Sequence, residues 1–263
     1  MPNPYAPLVG KAGQQVTLRL ASAPDPAAPD ARDVAIVPIA DESPLYYETW
    51  VQNNIARVEA KTGGRVGYLH IPDMGPGGLN EFVRRFYPQL AKEALIIDVR
   101  GNGGGNVSPQ IIERLRRELV MVNIHRTGAP TTNPPDMLLG PKITLMDEYS
   151  ASDGDIFPYR FRAMRLGKLV GKRSWGGVIG ISASMPFMDG GTLNVPAYAS
   201  YSKDGKTWPM EGHGVDPDIV VDNDPAREHR GEDQQLDRAI DEILLELKTN
   251  NPRLPPPPPW PVR

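Results

Sequence analysis

The chain has 263 residues, 40% of them hydrophobic, so it can build one large domain or two smaller ones around a packed core. A formal net charge of -3 gives no basic excess for nucleic acid, and no apolar run is long enough for a membrane span, so neither partner is expected. The absence of cysteine excludes disulfides, a thiolate nucleophile and zinc-thiolate sites. The first five residues lack the basic and apolar regions of a signal peptide, so the default prediction is a cytoplasmic protein.

Two short strands are predicted near the start, over residues 16–20 and 33–39, joined by a loop rich in Ala, Pro and Asp. An isolated pair of strands is at best marginally stable in water. The segment over residues 1–42 is therefore interpreted as an incomplete domain. Proline clusters at residues 24–29, 130–135 and 255–261 predict a linker, a long loop and a tail.

Strand and helix signals alternate through the middle of the chain. Ser43-Pro44 marks a helix start, with Ser43 as the cap, and predicts a helix over residues 45–60. Strands separated by helices of this length indicate an α/β fold with a parallel sheet. The predicted strands lie at 66–71, 94–99, 143–146 and 169–171, and the predicted helices at 79–90, 109–119 and after Ser152. Further strands at 184–188 and 193–197, a connecting turn at 189–191 and a final helix at 233–248 follow.

Ser152 lies between the strand over residues 143–146 and the following helix. A serine at such a turn can project its hydroxyl into a cleft, beside helix amides that favour developing negative charge. That placement suits a nucleophile for acyl transfer. The alternative is that Ser152 only caps the helix, because serine and aspartate are preferred at this position for stability.

Three consecutive glycines end the stretch from Asp98 to Gly105, directly after a predicted strand and before a helix. Glycine lets the backbone approach a ligand closely, and amides in such a loop could donate to an oxyanion. The stretch lacks the lysine and the spacing of a phosphate loop or a dinucleotide fingerprint. A plain turn is the alternative interpretation.

These two stretches, together with residues 67–74, 175–177 and 214–218, resemble the serine peptidase family that holds the tricorn core and the C-terminal processing peptidases. The resemblance runs from residue 10 to about residue 250. It implies a crotonase-like (ClpP/crotonase) α/β peptidase domain over residues 43–250. It also implies that residues 1–42 are the C-terminal part of a PDZ-like domain and that residues 251–263 form a proline-rich tail.

The resemblance assigns roles to individual residues. Ser152 would be the nucleophile, the amides of Gly105 and Asp153 would form the oxyanion hole, and Glu211 would be the acidic member of the catalytic set.

Three further positions would contact the substrate. Gly180 and Ile181 match a strand edge along which a peptide lies. Asn123 stands where the family archetype has an aspartate that receives a basic side chain. Asparagine can hydrogen-bond but lacks the charge that discriminates for a cation, so a preference for cleavage after Lys or Arg is in doubt.

The catalytic base is expected to be a histidine. The processing-peptidase branch uses a lysine about twenty-five positions after its serine, but glycine stands there within residues 175–178. In tricorn-like enzymes the histidine precedes the PDZ domain, so the chain is predicted to be truncated and to lack it. His70 is interpreted as structural, His213 near Glu211 is the remaining alternative, and two others are interpreted as surface residues: His125 and His229.

The predicted function is a serine endopeptidase that hydrolyses peptide or protein substrates through an acyl-enzyme. No metal or cofactor is expected, because Asp153, Asp155, Asp216 and Asp218 lack the ligand spacing of a calcium loop. These four aspartates are interpreted as turn and cap residues. The family forms rings, so a homo-oligomer is expected of the full-length protein. Two rivals remain: a non-catalytic peptide-binding or assembly module, and a coenzyme-A-dependent crotonase, in which the Ser152 motif would have no purpose.

Overall fold

The computed structural model describes residues 3, 5–25, 27–250, 252–260 and 262. Parts of the predicted N-terminal segment, of the proline-rich linker and of the tail therefore lie outside the described residues: Met1, Pro2, Pro4, Pro26, Asn251, Pro261 and Arg263. The chain divides into two compact units, residues 1–52 and 53–263.

The first unit contains one antiparallel strand pair. Strand β1 (Val16–Leu20) pairs with β2 (Arg32–Ile36), and Val16 lies opposite Ile36. A short 3-10 helix, Ala6–Leu8, precedes them. Strand β2 ends earlier than the predicted segment 33–39. Helix α1 (Ser43–Thr62) begins at Ser43 itself, two residues before the predicted segment 45–60, and runs across the division between the units.

A five-stranded parallel sheet forms the centre of the second unit. Its strands are β3 (Val66–His70), β4 (Ala94–Asp98), β7 (Lys142–Met146), β8 (Gly167–Gly171) and β11 (Ile219–Val220). Their spatial order is β11-β8-β7-β4-β3. Strands β3, β4 and β7 are buried at every position because helices cover both faces of the sheet, and this burial explains their nearly continuous apolar sequences. The predicted parallel α/β fold is confirmed.

Helices lie on both sides of this sheet. Residues of α2 (Pro76–Phe86), α3 (Ser108–Leu115) and α4 (Asp153–Ala163) share one core cluster with the strands. Helix α6 (Gln234–Thr249) contacts β4, β7 and β8, and its apolar residues stand outside that cluster, so it covers the other face. A 3-10 helix, Tyr87–Gln89, and the one-turn helix α5 (Pro225–Glu228) complete the helical segments of the described chain.

Two antiparallel hairpins stand apart from the central sheet. Strands β9 (Gly180–Pro186) and β10 (Thr192–Tyr198) form the hairpin predicted around the turn at residues 189–191. Strands β5 (Met121–Asn123) and β6 (Thr131–Asn133) form the other, where the proline cluster predicted a long loop. That prediction was wrong in part, because both strands have only three residues and carry little periodic signal.

In the described part of the chain, no helix combines the length and the apolar character that crossing a bilayer requires.

Candidate active site

Ser152 sits on a strained turn between β7 and α4. Its backbone has φ 55° and ψ -120°, a region that residues with a side chain rarely adopt and that costs about 1–3 kcal/mol. Ser152 occupies the position before the helix, yet its side chain makes no capping hydrogen bond. The capping interpretation is therefore wrong. The half-buried hydroxyl has no hydrogen-bond partner among the residues that the structure describes.

The glycine loop lies directly against this turn. A Cβ on Gly104 would come within 2.6 Å of the Ser152 Cβ and 2.9 Å of the Ala151 carbonyl. A Cβ on Gly105 would meet the Met74 carbonyl at 2.0 Å. Both glycines have positive φ, 102° and 149°. Only glycine fits at these two positions, so the loop is more than a plain turn.

The backbone amide of Gly105 points away from Met74, the residue with which the glycine loop pairs. Met74 donates to the Gly104 carbonyl at 2.8 Å and accepts from the Asn106 amide at 2.7 Å. These two bonds form a parallel bridge between Met74 and Gly105, in which the groups of Gly105 face the opposite side. Within the described chain the Gly105 amide has no acceptor.

A second unpaired amide belongs to Asp153, the first residue of α4. The amides of Gly154 and Asp155 bond back to the carbonyls of Ala151 and Ser152, whereas the Asp153 amide has no acceptor in the described chain. Its nitrogen lies 3.1 Å from where a Gly104 Cβ would stand. The helix terminus and the glycine loop therefore offer free donors beside Ser152, as oxyanion binding requires.

Asn102 connects the glycine loop to its surroundings. This buried side chain donates from Nδ2 to the Ile71 carbonyl at 2.9 Å and accepts at Oδ1 from the Gly104 amide at 3.0 Å. Its own carbonyl accepts from the Ala151 amide at 2.9 Å. One residue thereby fixes the loop relative to the Ser152 turn.

Asp147 and Ser150 hold the turn from the other side. Asp147 Oδ1 accepts from the Gly101 amide at 2.9 Å, and Ser150 Oγ donates to the Val99 carbonyl at 2.9 Å. The end of β7 is therefore bonded to the end of β4 at several points, which limits movement of Ser152.

The side chain of Asp153 joins the first turns of two helices. It is buried, and it accepts from the amide and the hydroxyl of Ser108 at 2.9 and 2.5 Å. Arg160 donates to the same hydroxyl at 2.5 Å. These bonds keep the start of α4 beside the start of α3, where the glycine loop ends.

Asp155 is fully buried in the first turn of α4. Its Oδ1 accepts from the Gly176 amide at 2.8 Å, while Oδ2 is buried without a hydrogen-bond partner among the described residues. Burial raises the pKa of Asp155 above its ordinary value, against the opposing effect of Ser174 and nearby amides. Asp155 therefore fixes the segment around Gly176 against the helix.

Glu211 lies on the other side of that segment. Its Oε2 accepts from the amides of Val178 and Ile179 at 2.7 and 2.9 Å, and the Gly212 amide donates to the Gly176 carbonyl at 2.8 Å. Oε1 has no partner in the described chain. Residues 174–179 thus connect Glu211 to the Ser152 helix, without a direct bond between Glu211 and Ser152 in the described part.

The predicted substrate positions lie at the start of β9. Gly180 faces Tyr198, whose ring occupies the space that a Cβ would need, at 2.1 Å. Ile181 pairs with Pro196, and 60% of its surface is exposed. Strand β9 pairs with β10 on one edge alone in the described chain, so its other edge can accept a strand.

Asn123, the third predicted substrate position, lies on the β5–β6 hairpin and not on β9. It is the exposed last residue of β5 and lies opposite Thr131. No hydrogen bond of the described residues joins Asn123 to Ser152 or Glu211.

No described hydrogen bond joins a histidine to Ser152. His70 is buried with Nε2 2.9 Å from the Arg100 carbonyl, and burial lowers its pKa. His213 has Nε2 2.7 Å from Asp216 Oδ2, and its side chain is 59% exposed. His125 contacts Thr131 through Nε2 at 3.0 Å. These side chains are directed to partners other than Ser152.

A buried ion pair supports the strand that leads into the glycine loop. Arg100 pairs with Asp98 at 2.6 Å and with Asp233 at 2.9 Å, and Tyr68 donates to Asp98 at 2.8 Å. Burial alone would raise the pKa of Asp98, but the Arg100 guanidinium outweighs it and holds that pKa below its ordinary value. The start of the loop is thereby tied to α6.

Sequence reasoning gave no role to Asn102 or Asp147, and it interpreted Asp155 as a turn or cap residue. The structure corrects the last point, because Asp155 is buried and bonds across to Gly176. Two sequence signals could have indicated these roles. Asn102 is a polar residue within a glycine-rich loop, and Asp147 and Asp155 are acidic residues beside a strand-to-helix turn.

A parallel α/β sheet, a strained serine turn at the end of a strand and two amides without acceptors in the described chain form an arrangement typical of acyl-transfer sites. Residues 65–221 match peptidase family S41, and the chain belongs to that family.

The chain is similar to several larger proteins. It is 40% identical over 251 residues to the tricorn protease of Thermoplasma volcanium, covering 95% of this chain and 24% of that protein. It is 40% identical over 249 residues to tricorn protease homolog 1 of Streptomyces coelicolor, covering 95% of this chain and 23% of the homolog. The crystal structure of the tricorn protease matches with a TM-score of 0.86 and 39% identity, over 94% of this chain and 24% of that one. The chain spans about a quarter of the length of these relatives.

Proposed function

We propose that this chain carries the nucleophile and the oxyanion hole of a serine endopeptidase. The observation that carries the proposal is the strained Ser152 turn, whose hydroxyl and neighbouring amides all lack partners in the described chain. Strain of this kind persists only where surrounding contacts over-determine it, and it is concentrated at functional sites.

In the proposed reaction, Ser152 Oγ attacks the scissile carbonyl and its proton passes to a base. The amides of Gly105 and Asp153 donate to the resulting oxyanion. The protonated base then gives its proton to the leaving amine, and an acyl-enzyme on Ser152 remains. Water then attacks the acyl carbonyl and gives its proton to the base, and Ser152 Oγ leaves and takes that proton, which releases the acid product.

The base is proposed to be a histidine supplied from outside this chain. The support is that His70 is buried against a carbonyl and His213 is engaged by Asp216. Glu211 would orient or polarise the incoming base, because one of its oxygens is held by two amides and the other is free in the described part.

The substrate is proposed to be an extended peptide or protein chain that adds to β9 along Gly180 and Ile181. The unpaired edge of β9 in the described chain supports this mode of binding. Asn123 is proposed as a specificity residue that would hydrogen-bond a polar side chain without selecting for positive charge.

The domain assignment also stays a proposal. We infer a crotonase-like peptidase domain over residues 43–250, the end of a PDZ-like domain over 1–42 and a proline-rich tail over 251–263. The parallel sheet supports the first assignment, and the β1–β2 pair is compatible with the second. A ring of identical subunits and a cytoplasmic location are likewise predictions for the whole protein.

Covalent labelling with a fluorophosphonate, detected by intact mass, tests the nucleophile. The chain is compared with a longer form that supplies the tricorn-like upstream segment. We expect the longer form to gain one label, and Ser152→Ala to abolish it. Ser202→Ala in the longer form removes another half-buried serine and should be labelled like the longer form without the substitution.

The outcomes separate the hypotheses. Labelling of the short chain at Ser152 would overturn the proposal of an external base, and His213 would become the candidate base. If neither form is labelled, the peptidase proposal fails. The second candidate, a non-catalytic peptide-binding module, would then be favoured, because the free β9 edge could bind a strand without any base.

A further inference from the structure

A large cavity lies at the end of the sheet opposite the Ser152 turn. Its volume is about 1020 Å³, and it is formed by the last turn of α3, the turn after α4 and the first residue of β7. Ser152 follows the other end of β7, so the cavity and the candidate active site are separated by the length of that strand, about 16 Å.

The cavity is strongly basic although the whole chain is acidic. Two carboxylates, those of Glu113 and Glu118, also line it, so its walls carry a net charge of +3 in a chain with a net charge of -3. The cationic side chains are Arg114, Arg116, Arg117, Arg165 and Lys142.

None of these five cations forms an ion pair with a described residue. Arg114 lies over the Tyr87 ring at 5.5 Å, and Arg117 donates to the Pro135 carbonyl at 2.7 Å. Lys142 donates to the carbonyls of Leu138 and Gly140 at 3.1 and 3.2 Å. Arg116 and Arg165 have no side-chain partner among the described residues, so their charges are available to a ligand in the cavity.

Lys142 is the decisive member of the group. The residue is 8% exposed, and buried charges are normally paired because removing a charge from water is costly. Carbonyl dipoles only partly replace a counter-ion. Burial lowers the pKa of Lys142 to about 8, so the ammonium still predominates at neutral pH.

Cations near the ends of α3 and α4 have an ordinary explanation, since helix C-termini carry partial negative charge. That explanation fits Arg114, Arg116 and Arg165, because the partial charge at a helix end acts over about one turn. It does not account for Lys142, which is on a strand. It also leaves unexplained why five cationic residues line one cavity while Glu113 and Glu118 remain unpaired in the described chain.

We propose that this cavity binds a small polyphosphate-type anion. Guanidinium groups hold phosphate oxygens through paired hydrogen bonds, and an ammonium adds a point charge. Several separated cations match a ligand with more than one phosphate group better than a single carboxylate. The site is independent of the peptidase proposal, because it shares no residue with the Ser152 region.

Isothermal titration calorimetry with inorganic pyrophosphate at low salt tests the site, with orthophosphate as a weaker comparison. The full chain should bind one pyrophosphate, more tightly than orthophosphate. The double variant Arg116→Gln/Arg165→Gln should weaken binding at least tenfold, on the order of 1.4 kcal/mol or more. Both side chains are exposed, so the variant should fold.

A matched control removes the same charge away from the cavity. Arg126→Gln/Arg253→Gln also replaces two exposed arginines, and it should bind pyrophosphate within about twofold of the parent. Equal weakening by both double variants would show a non-specific charge effect and overturn the site. Absence of saturable binding to the parent chain would overturn it as well.

A variant that is expected to bind pyrophosphate more tightly provides a second, independent test. Glu118→Gln removes an exposed carboxylate from the cavity wall, so pyrophosphate should bind a few-fold more tightly. Unchanged or weaker binding by this variant would contradict the proposal. A single exposed substitution of this kind keeps the test valid even if the arginine pair impairs folding.

Discussion

Gly104 approaches Ser152 so closely that a Cβ on the glycine would lie 2.6 Å from the Cβ of the serine. The contact brings together two parts of the chain separated by almost fifty residues, the loop after β4 and the turn after β7. Each part has an unusual backbone, with φ 102° at Gly104 and 55° at Ser152. The shape of each turn depends on the presence of the other.

Gly104→Ala should therefore destabilise the chain. Both the positive φ and the clash with Ser152 oppose a methyl group, and together they should lower the free energy of unfolding by about 2–4 kcal/mol. Urea denaturation measures this change. Gly103→Ala is a matched control in the same loop, since Gly103 has open space around it and no positive φ, and it should cost less than about 1 kcal/mol. Equal effects of the two substitutions would refute the close-packing explanation.

Asn102→Ala should also lower stability, for a different reason. The substitution leaves the Ile71 carbonyl and the Gly104 amide without their partner inside a buried loop. Two unsatisfied groups should cost about 2–4 kcal/mol in the free energy of unfolding, measured by urea denaturation. Asn106→Ala, at an exposed position in the same loop, should stay within about 0.5 kcal/mol of the parent. A loss of similar size in both variants would mean that the Asn102 bonds contribute little.

The sheet could be predicted from the sequence because its signals are local. Residues 94–98 and 142–146 form short, nearly continuous apolar runs, and the intervening helices have the length that parallel strands require. The hairpin β5–β6 and the two-residue strand β11 escaped prediction, since such short segments carry too few residues to show a period.

The candidate site was only partly accessible to the same reasoning. The position of Ser152 between a strand and a helix is visible in the sequence, but its positive φ results from contacts with Gly104, far along the chain. The burial of Asp155 likewise depends on the segment around Gly176 folding over it. Tertiary contacts of this kind leave no periodic signal.

Asp155→Asn should change how stability depends on pH. The native state holds the Asp155 proton more tightly than the unfolded chain, because burial raises its pKa. The parent therefore loses stability as pH rises through the interval between the ordinary and the raised pKa. Asparagine keeps an oxygen for the Gly176 amide and has no charge to bury.

The free energies of unfolding of parent and variant should thus be compared at an acidic pH and at pH 7. We expect the difference to shift in favour of Asp155→Asn at the higher pH. Asp241→Asn, on the exposed side of α6, supplies the matched control and should differ from the parent by no more than about 0.5 kcal/mol. A difference that is the same at both pH values for Asp155→Asn would contradict the assigned cause.

Lys142→Met should stabilise the chain at neutral pH in a phosphate-free buffer. Burial lowers the pKa of Lys142 from 10.5 to about 8, which corresponds to a penalty of about 3 kcal/mol for keeping the charged form in the fold. Since the unfolded chain binds this proton more tightly, the parent regains stability as pH rises from about 8 toward 10.5. The advantage of Lys142→Met in urea denaturation should therefore be larger at pH 7 than at pH 10. Lys248→Met, which removes an exposed lysine, should alter the free energy of unfolding by no more than about 0.5 kcal/mol. An advantage of Lys142→Met that grows between pH 7 and pH 10 would show that the buried ammonium is compensated in the fold.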